Sequence, residues 1–137
     1  MTRLAVGIAL ACFLAAGPVL AHHDRSVLGT VRITQPVLAD GKPLAPGTYE
    51  LRDAGEHPEP LPGQSEDAIT WIEFVAGDTV VARTAAEVMP GEPVAVGTSG
   101  RASQPVVQLL RGGDFLRVSM YRDGERYLIH LPVQRAN

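Results

Sequence analysis

Two glycine-containing dipeptides near the C-terminus constrain the fold more than any other feature of the sequence. Gly112-Gly113 and Asp123-Gly124 are residue pairs typical of two-residue β-hairpin turns. The segments around them alternate apolar and polar residues with a period of two, as half-buried strands do. The sequence therefore predicts a three-stranded antiparallel meander over residues 105–133.

The register that each turn sets can be checked against the side chains. Together the two turns predict these apolar cross-strand pairs: Met120 with Tyr127, Val118 with Ile129, Leu116 with Leu131, Leu109 with Leu116, and Val107 with Val118. All of them lie on one face, and a shift of one residue in either hairpin would move one set to the opposite face. Two independent turns thus predict the same apolar face.

Residues 1–21 have the layout of a secretory signal peptide. Arg3 precedes an apolar run, Leu4–Ala16, and the small residue Ala21 occupies the cleavage position. We expect cleavage after Ala21, a mature chain that begins at His22, and a periplasmic or secreted protein. A membrane-spanning helix needs about 20 apolar residues, and no second apolar run follows, so no transmembrane segment is expected after cleavage.

Strand patterns extend through the rest of the expected mature chain. No segment there places apolar residues at i, i+3, i+4 and i+7, as an amphipathic helix does. Alternation predicts strands within 26–37 and 47–53, and a hairpin within 68–85 with its turn at Gly77-Asp78. The expected fold is a single all-β domain over residues 22–137, an antiparallel β-sandwich or partly open barrel of about seven to eight strands.

Composition argues against several classes of function. The only cysteine, Cys12, lies in the signal peptide, so thiol catalysis and thiolate metal sites are not expected. The chain has 12 Lys and Arg against 15 Asp and Glu, and the basic residues are scattered, which argues against a nucleic-acid partner. The segment GTSGRAS at 97–103 does not fit the G-x-S-x-G motif of hydrolases. We therefore do not expect an enzyme.

Segment 40–52, DGKPLAPGTYELR, is similar to a sequence motif of known protein families. This segment resembles the G-x-x-L-x-x-G-x-Y strand entry of carboxypeptidase-regulatory-like, Cna-B-type and transthyretin-like modules, and the whole chain resembles small secreted bacterial proteins without an assigned activity. The resemblance implies a β-sandwich with Tyr49 and Leu51 facing the core. Cna-B-type isopeptide bonds need a strand Lys and a core Asn, and since only Lys42, in a predicted turn, and Asn137 are available, no such bond is expected.

Two long connections interrupt the strands. Residues 53–67 contain prolines at alternate positions, which favour an extended path, and several carboxylates. A hydrolase or lyase that uses this acidic 53–67 loop is a second alternative function. The other connection, 89–105, is predicted to hold one short strand at 94–96.

The histidines suggest a first alternative function, metal binding. His22 at a mature N-terminus offers an amine and an imidazole to a borderline metal, and His23 follows it, so a copper or zinc site is one interpretation. His57 or His130 would then supply a further nitrogen. Adjacent histidines after a signal peptide also occur as polar leaders, because domain ends are commonly disordered. Both interpretations stay open, and no other cofactor is expected.

The outer face of the predicted meander supports the preferred interpretation. It mixes apolar and charged side chains, and the candidate contact residues on it are Leu110, Phe115, Arg117, Tyr121 and Leu128. Exposed apolar patches of this kind mark contacts with other proteins. The sequence therefore favours a non-enzymatic binding module that contacts a protein partner or associates with itself. Trp71, at a strand centre, is expected in the core.

Overall fold

Strands account for most of the described chain. The computed structural model describes residues 26–91 and 104–135. The strands within these residues are β1 Val27–Ile33, β2 Val37–Ala39, β3 Lys42–Leu44, β4 Gly47–Asp53, β5 Ile69–Ala76, β6 Thr79–Pro90, β7 Val106–Leu110, β8 Phe115–Arg122 and β9 Glu125–Pro132. Short 3₁₀ turns cover Glu66–Ala68 and Arg111–Gly113. No helix of the described chain is long and apolar enough to cross a membrane.

The strands form one large curled sheet and one small sheet. Seven strands pair antiparallel in the order β1-β4-β5-β6-β9-β8-β7, and β2 pairs with β3. The long strand β6 pairs with β5 over most of its length, while its last residues, Glu87–Pro90, pair with β9. This stagger curls the sheet and brings β1 close to β7 and β8. The expected all-β class is confirmed, with a curled sheet whose two edges approach each other.

The predicted C-terminal meander is confirmed in register. β8 pairs with β9 through Met120 with Tyr127 and Val118 with Ile129, and β7 pairs with β8 through Leu109 with Leu116. The first turn is longer than the expected two residues, because Leu110 with Phe115 is the last pair and four residues connect them. The register is unchanged, since the turn gains one residue on each side.

The predicted turn-rich segment between β1 and β4 contains a small hairpin. Asp40 and Gly41 adopt positive φ angles of 48° and 74°, and so connect β2 to β3. Lys42 therefore begins a strand instead of lying in a turn. Val37 also forms a bridge with Val133, which places this hairpin over one end of the curled sheet.

The core lies inside the curled sheet and beneath the small hairpin. Its fully buried large side chains are Phe74, Ile33, Leu51, Ile72, Met120, Ile129, Leu131, Val31, Val37, Val75 and Val118. Tyr49 and Leu51 face this core as expected, with exposed fractions of 8% and 0%. The Tyr49 hydroxyl donates a hydrogen bond to the Ala45 carbonyl at 2.5 Å. The motif at 40–52 thus fixes the start of β4 against the core.

The two edges of the curled sheet meet at one point without a strand ladder between them. Gly29 in β1 lies against Pro105, so closely that a Cβ atom at Gly29 would be 2.8 Å from Pro105 Cδ. Arg122 also donates a side-chain hydrogen bond to the Val27 carbonyl. A groove of about 660 Å³ remains beside this contact, lined in part by Leu28 and Tyr121.

Two side chains differ from the expected placement. Trp71 lies half-buried on the outer face instead of in the core, because Ile72 and Phe74 take the inward positions of β5. Leu109 occupies the predicted apolar face but is 53% exposed. Its strand β7 is the last of the sheet, so no neighbouring strand covers that side.

Candidate functional site

The outer surface of β7, β8 and β9, hereafter the β7–β9 face, contains the predicted contact residues. Leu110, Phe115, Arg117 and Tyr121 are half-buried, and Leu128 is buried at 8% exposure. Leu128 lies deepest because β9 is an inner strand, flanked by β6 and β8. The accessible part of the face therefore lies toward β7.

The most exposed apolar side chain that the structure describes on this face lies at the sheet edge. Val106 in β7 is 52% exposed and points to the same side as Leu110. Leu110, Phe115, Arg111 and His130 line a shallow cavity of about 230 Å³. The hairpin register also places Val106 on this face, but alternation alone does not show that its strand is the edge of the sheet.

Arginine side chains lie over the aromatic rings of the outer surface. The guanidinium carbon of Arg111 is 5.6 Å from the Phe115 ring centroid, and that of Arg126 is 5.8 Å from the Tyr121 ring. Such contacts stabilise a cation at a partly exposed site by about 0.5–1 kcal/mol. They place the charged groups of Arg111 and Arg126 beside the two rings.

His130 and Arg117 face each other across β8 and β9, as the hairpin register predicted. His130 is exposed, and the Arg117 guanidinium donates to Gln108 Oε1 at 2.6 Å. Arg117 thus contributes a positive charge to this face and has a polar partner on β7.

His57 lies in the acidic loop, which folds back on β5. Its Nδ1 is 2.8 Å from the Ile69 carbonyl oxygen, and because a carbonyl only accepts, Nδ1 carries the proton. His57, Asp67 and Tyr127 border a cavity of about 320 Å³. His130 does not line this cavity, so the structure does not bring the two histidines together.

The remaining metal candidates, His22 and His23, lie outside the described residues. Within 26–91 and 104–135, no group of three or more His, Cys, Asp or Glu side chains has a geometry that would hold a metal ion. His57 and His130 thus lie apart from each other, and copper or zinc binding stays a prediction from the N-terminal sequence.

Asp53, one of the carboxylates of the 53–67 loop, has a structural role. Its Oδ1 accepts hydrogen bonds from the Thr70 hydroxyl and from the Gly55 amide, both at 2.9 Å. Thr70 is almost fully buried at 2% exposure. A hydrogen bond to a charged acceptor contributes about 1.5–3 kcal/mol. These bonds anchor the loop to the start of β5.

Tyr127 is the titratable group most affected by its surroundings. It is 7% exposed, and its hydroxyl donates to Glu125 Oε2 at 3.1 Å. Burial raises the pKa of the Tyr127 phenol well above its ordinary value of 10.0, and the hydrogen bond and charge of Glu125 raise it further. The phenol therefore stays protonated in the folded chain, as a hydrogen-bond donor.

This shift predicts a loss of stability in alkaline solution. Above about pH 10 the unfolded chain releases the Tyr127 proton while the folded chain keeps it, so the free energy of unfolding falls by up to about 1.4 kcal/mol per pH unit. Below pH 10 both states are protonated, and the contribution is fully present. Urea titrations at about pH 9 to 12 should show a steeper decline for the natural chain than for Tyr127→Phe. Parallel declines would contradict the shift.

Comparisons with known proteins identify no relative. No protein-family model matches the chain, and searches of curated proteins and of solved structures find no significant match. The resemblance of segment 40–52 to secreted β-sandwich modules therefore stays an expectation from its residues.

Proposed function

We propose that the chain is an exported, non-enzymatic interaction module that associates with a second copy of itself through the β7–β9 face. The observation that carries the proposal is the exposed Val106 on the same side of the last strand, β7, as half-buried Leu110, which pairs with half-buried Phe115. Apolar side chains grouped at one surface favour contact with another protein, because contact removes their area from water. The signal-peptide pattern of residues 1–21 supports export.

The composition of the face suits a reversible contact. A polar row of Gln108, Arg117 and His130 crosses the face between Val106 and the Leu110–Phe115 pair, so apolar and polar side chains are mixed, and reversible interfaces are likewise only about as apolar as the rest of a protein surface. Arg111 and Arg126 add positive charges beside Phe115 and Tyr121. Arginine and aromatic residues are also enriched in protein interfaces.

Size-exclusion chromatography with light scattering tests the proposal on the exported chain. We expect dimers that dissociate on dilution, and a monomer for Val106→Lys, because this change places a charge in the apolar patch. Val81→Lys is the matched control, since Val81 is a valine of similar exposure, 46%, on β6. The control should associate like the natural chain. A natural chain that stays monomeric at every concentration would refute self-association.

A further inference from the structure

β7 is the last strand of the sheet, and no strand of the described residues 26–91 and 104–135 pairs with its outer edge, hereafter the open edge. In a two-residue hairpin the residues next to the turn form a hydrogen-bonded pair, so Arg122 with Glu125 is such a pair. Hydrogen-bonded and non-hydrogen-bonded pairs alternate, and the odd-numbered residues of β8 therefore bond to the even-numbered residues of β7. The backbone amides and carbonyls of Val107 and Leu109 then point away from β8, toward the open edge.

The β7 edge lacks the features that keep sheet edges from pairing. Charged residues, prolines and bulges are the usual protections. β1, at the other end of the sheet, has a bulge between Val27 and Gly29 and an exposed arginine, Arg32. β7 reads VVQLL, with no charge, no proline and no register shift, and two of its side chains, Val106 and Leu109, are more than half exposed.

We propose that β7 pairs antiparallel with β7 of a second copy, about a two-fold axis at Gln108, and so joins two sheets into one. The inference rests on the proposed self-association and places it at the β7 edge of the β7–β9 face, so that the faces of the two copies lie side by side in one sheet. Val107 of each copy would lie opposite Leu109 of the other, and these pairs would exchange the outward backbone hydrogen bonds. Gln108 of one copy would lie opposite Gln108 of the other, as a contact about a two-fold axis requires.

The sequence of β7 complements itself in this register. Reversal of VVQLL about its centre sets Val106 against Leu110 and Val107 against Leu109, so each exposed apolar side chain meets an apolar partner. The next position beyond the strand would set Arg111 against Pro105, which already lies against Gly29, so the pairing ends at Val106 with Leu110 and no two arginines meet. The two Arg117 side chains would be three strand spacings apart, about 14 Å, which is beyond the Debye length of about 8 Å at physiological salt.

Shifted registers fit less well. With Val107 or Leu109 on the two-fold axis, the overlap shortens and Gln108 lies opposite an apolar residue of the partner. The centred register is therefore the one in which all residues of β7 are paired and the polar side chain meets another polar side chain. A second copy of this chain is the occupant that this symmetry specifies.

Cysteine cross-linking of the full exported chain tests the register. With Cys12→Ala as background, the chain has no other cysteine. Gln108→Cys should form a disulfide-linked dimer under mild oxidation, because the axial pair is non-hydrogen-bonded, with Cα atoms about 4.5 Å apart, within disulfide range. Val106→Cys mixed with Leu110→Cys should also cross-link.

Controls separate specific pairing from collision. Val81→Cys, exposed on β6, reports random encounters and should react roughly 100-fold more slowly, because thiols held at an interface have millimolar effective concentrations. Cross-linking of Val107→Cys or Leu109→Cys in place of Gln108→Cys would overturn the register.

The outcomes also distinguish this inference from the proposed function. Dimers by light scattering without any cross-link along β7 would refute strand pairing and leave self-association standing. A monomeric natural chain that shows no cross-link above the Val81→Cys background would refute both.

Discussion

Replacing Phe74 with alanine is expected to lower the free energy of unfolding by about 4 kcal/mol, since buried Phe→Ala changes cost about 3–5 kcal/mol. The Phe74 side chain is fully buried, and its ring meets Tyr49 edge-on, with centroids 6.0 Å apart and planes at 86°. Its strand is paired on both sides, with Leu51 and Ala82 opposite Phe74. The neighbouring strands therefore have little freedom to move into the cavity that Phe74→Ala would leave.

Urea titration followed by the fluorescence of the single tryptophan, Trp71, measures this loss. A domain with about 5–15 kcal/mol of stability would keep only part of it. Phe74→Leu should cost less, because the smaller volume change leaves a smaller cavity. Leu61→Ala, at a side chain that is 71% exposed, should stay within about 0.5 kcal/mol. An equal loss in Phe74→Ala and Leu61→Ala would contradict the assigned core.

The features that the sequence predicts correctly are local ones. The Asp123-Gly124 turn and the alternation around it determine the pairing of β8 with β9, because turn type and side-chain period act over a few residues. The turn at Gly77-Asp78 is also confirmed, between β5 and β6. Each of these hairpins joins two strands that follow each other directly in the chain, so no information about distant strands is needed.

The features that were missed depend on distant strands. Leu109 lies on the predicted apolar face, but the strand order makes β7 an edge strand, and Leu109 is 53% exposed. Trp71 was expected in the core, but Ile72 and Phe74 occupy the inward-facing positions of β5. Alternation shows which residues share a face, but it does not show which face is covered.

The candidate site shows the same difference between local features, which the sequence predicts, and features that depend on distant strands. Leu110, Phe115 and Arg117 could be assigned to one face from the hairpin register alone. The distance between His57 and His130 depends on how the 53–67 loop folds back on β5, and no short-range pattern contains that information. The open edge of β7 likewise becomes visible only when all strands of the sheet are in place.

The contact between Gly29 and Pro105 gives the second large expected effect. Gly29 has a φ angle of +146°, a conformation that L side chains rarely adopt, and an added Cβ would lie 2.8 Å from Pro105 Cδ and 2.9 Å from Cγ. Gly29→Ala thus combines backbone strain of about 1–3 kcal/mol with a steric clash of about 1–3 kcal/mol. We expect a total loss of about 3 kcal/mol, measured by urea titration.

Two further variants separate strain from clash. Gly41→Ala has a positive φ of +74° but no atom within 4 Å of the new Cβ, so it should show the backbone cost alone. Pro105→Ala removes the ring atoms that the new methyl group meets. In a double-mutant cycle, Gly29→Ala should therefore cost about 1–2 kcal/mol less in the Pro105→Ala background.

The same cycle bears on the edge of β7, because Pro105 comes directly before this strand. If the Gly29 contact positions the start of β7, Gly29→Ala should slow the Gln108→Cys cross-link in chains that remain folded, and Pro105→Ala should restore it. Gly41→Ala, in the distant β2–β3 turn, should leave the cross-linking rate unchanged. A stability loss without any change in that rate would mean that the contact closes the curled sheet but does not position β7.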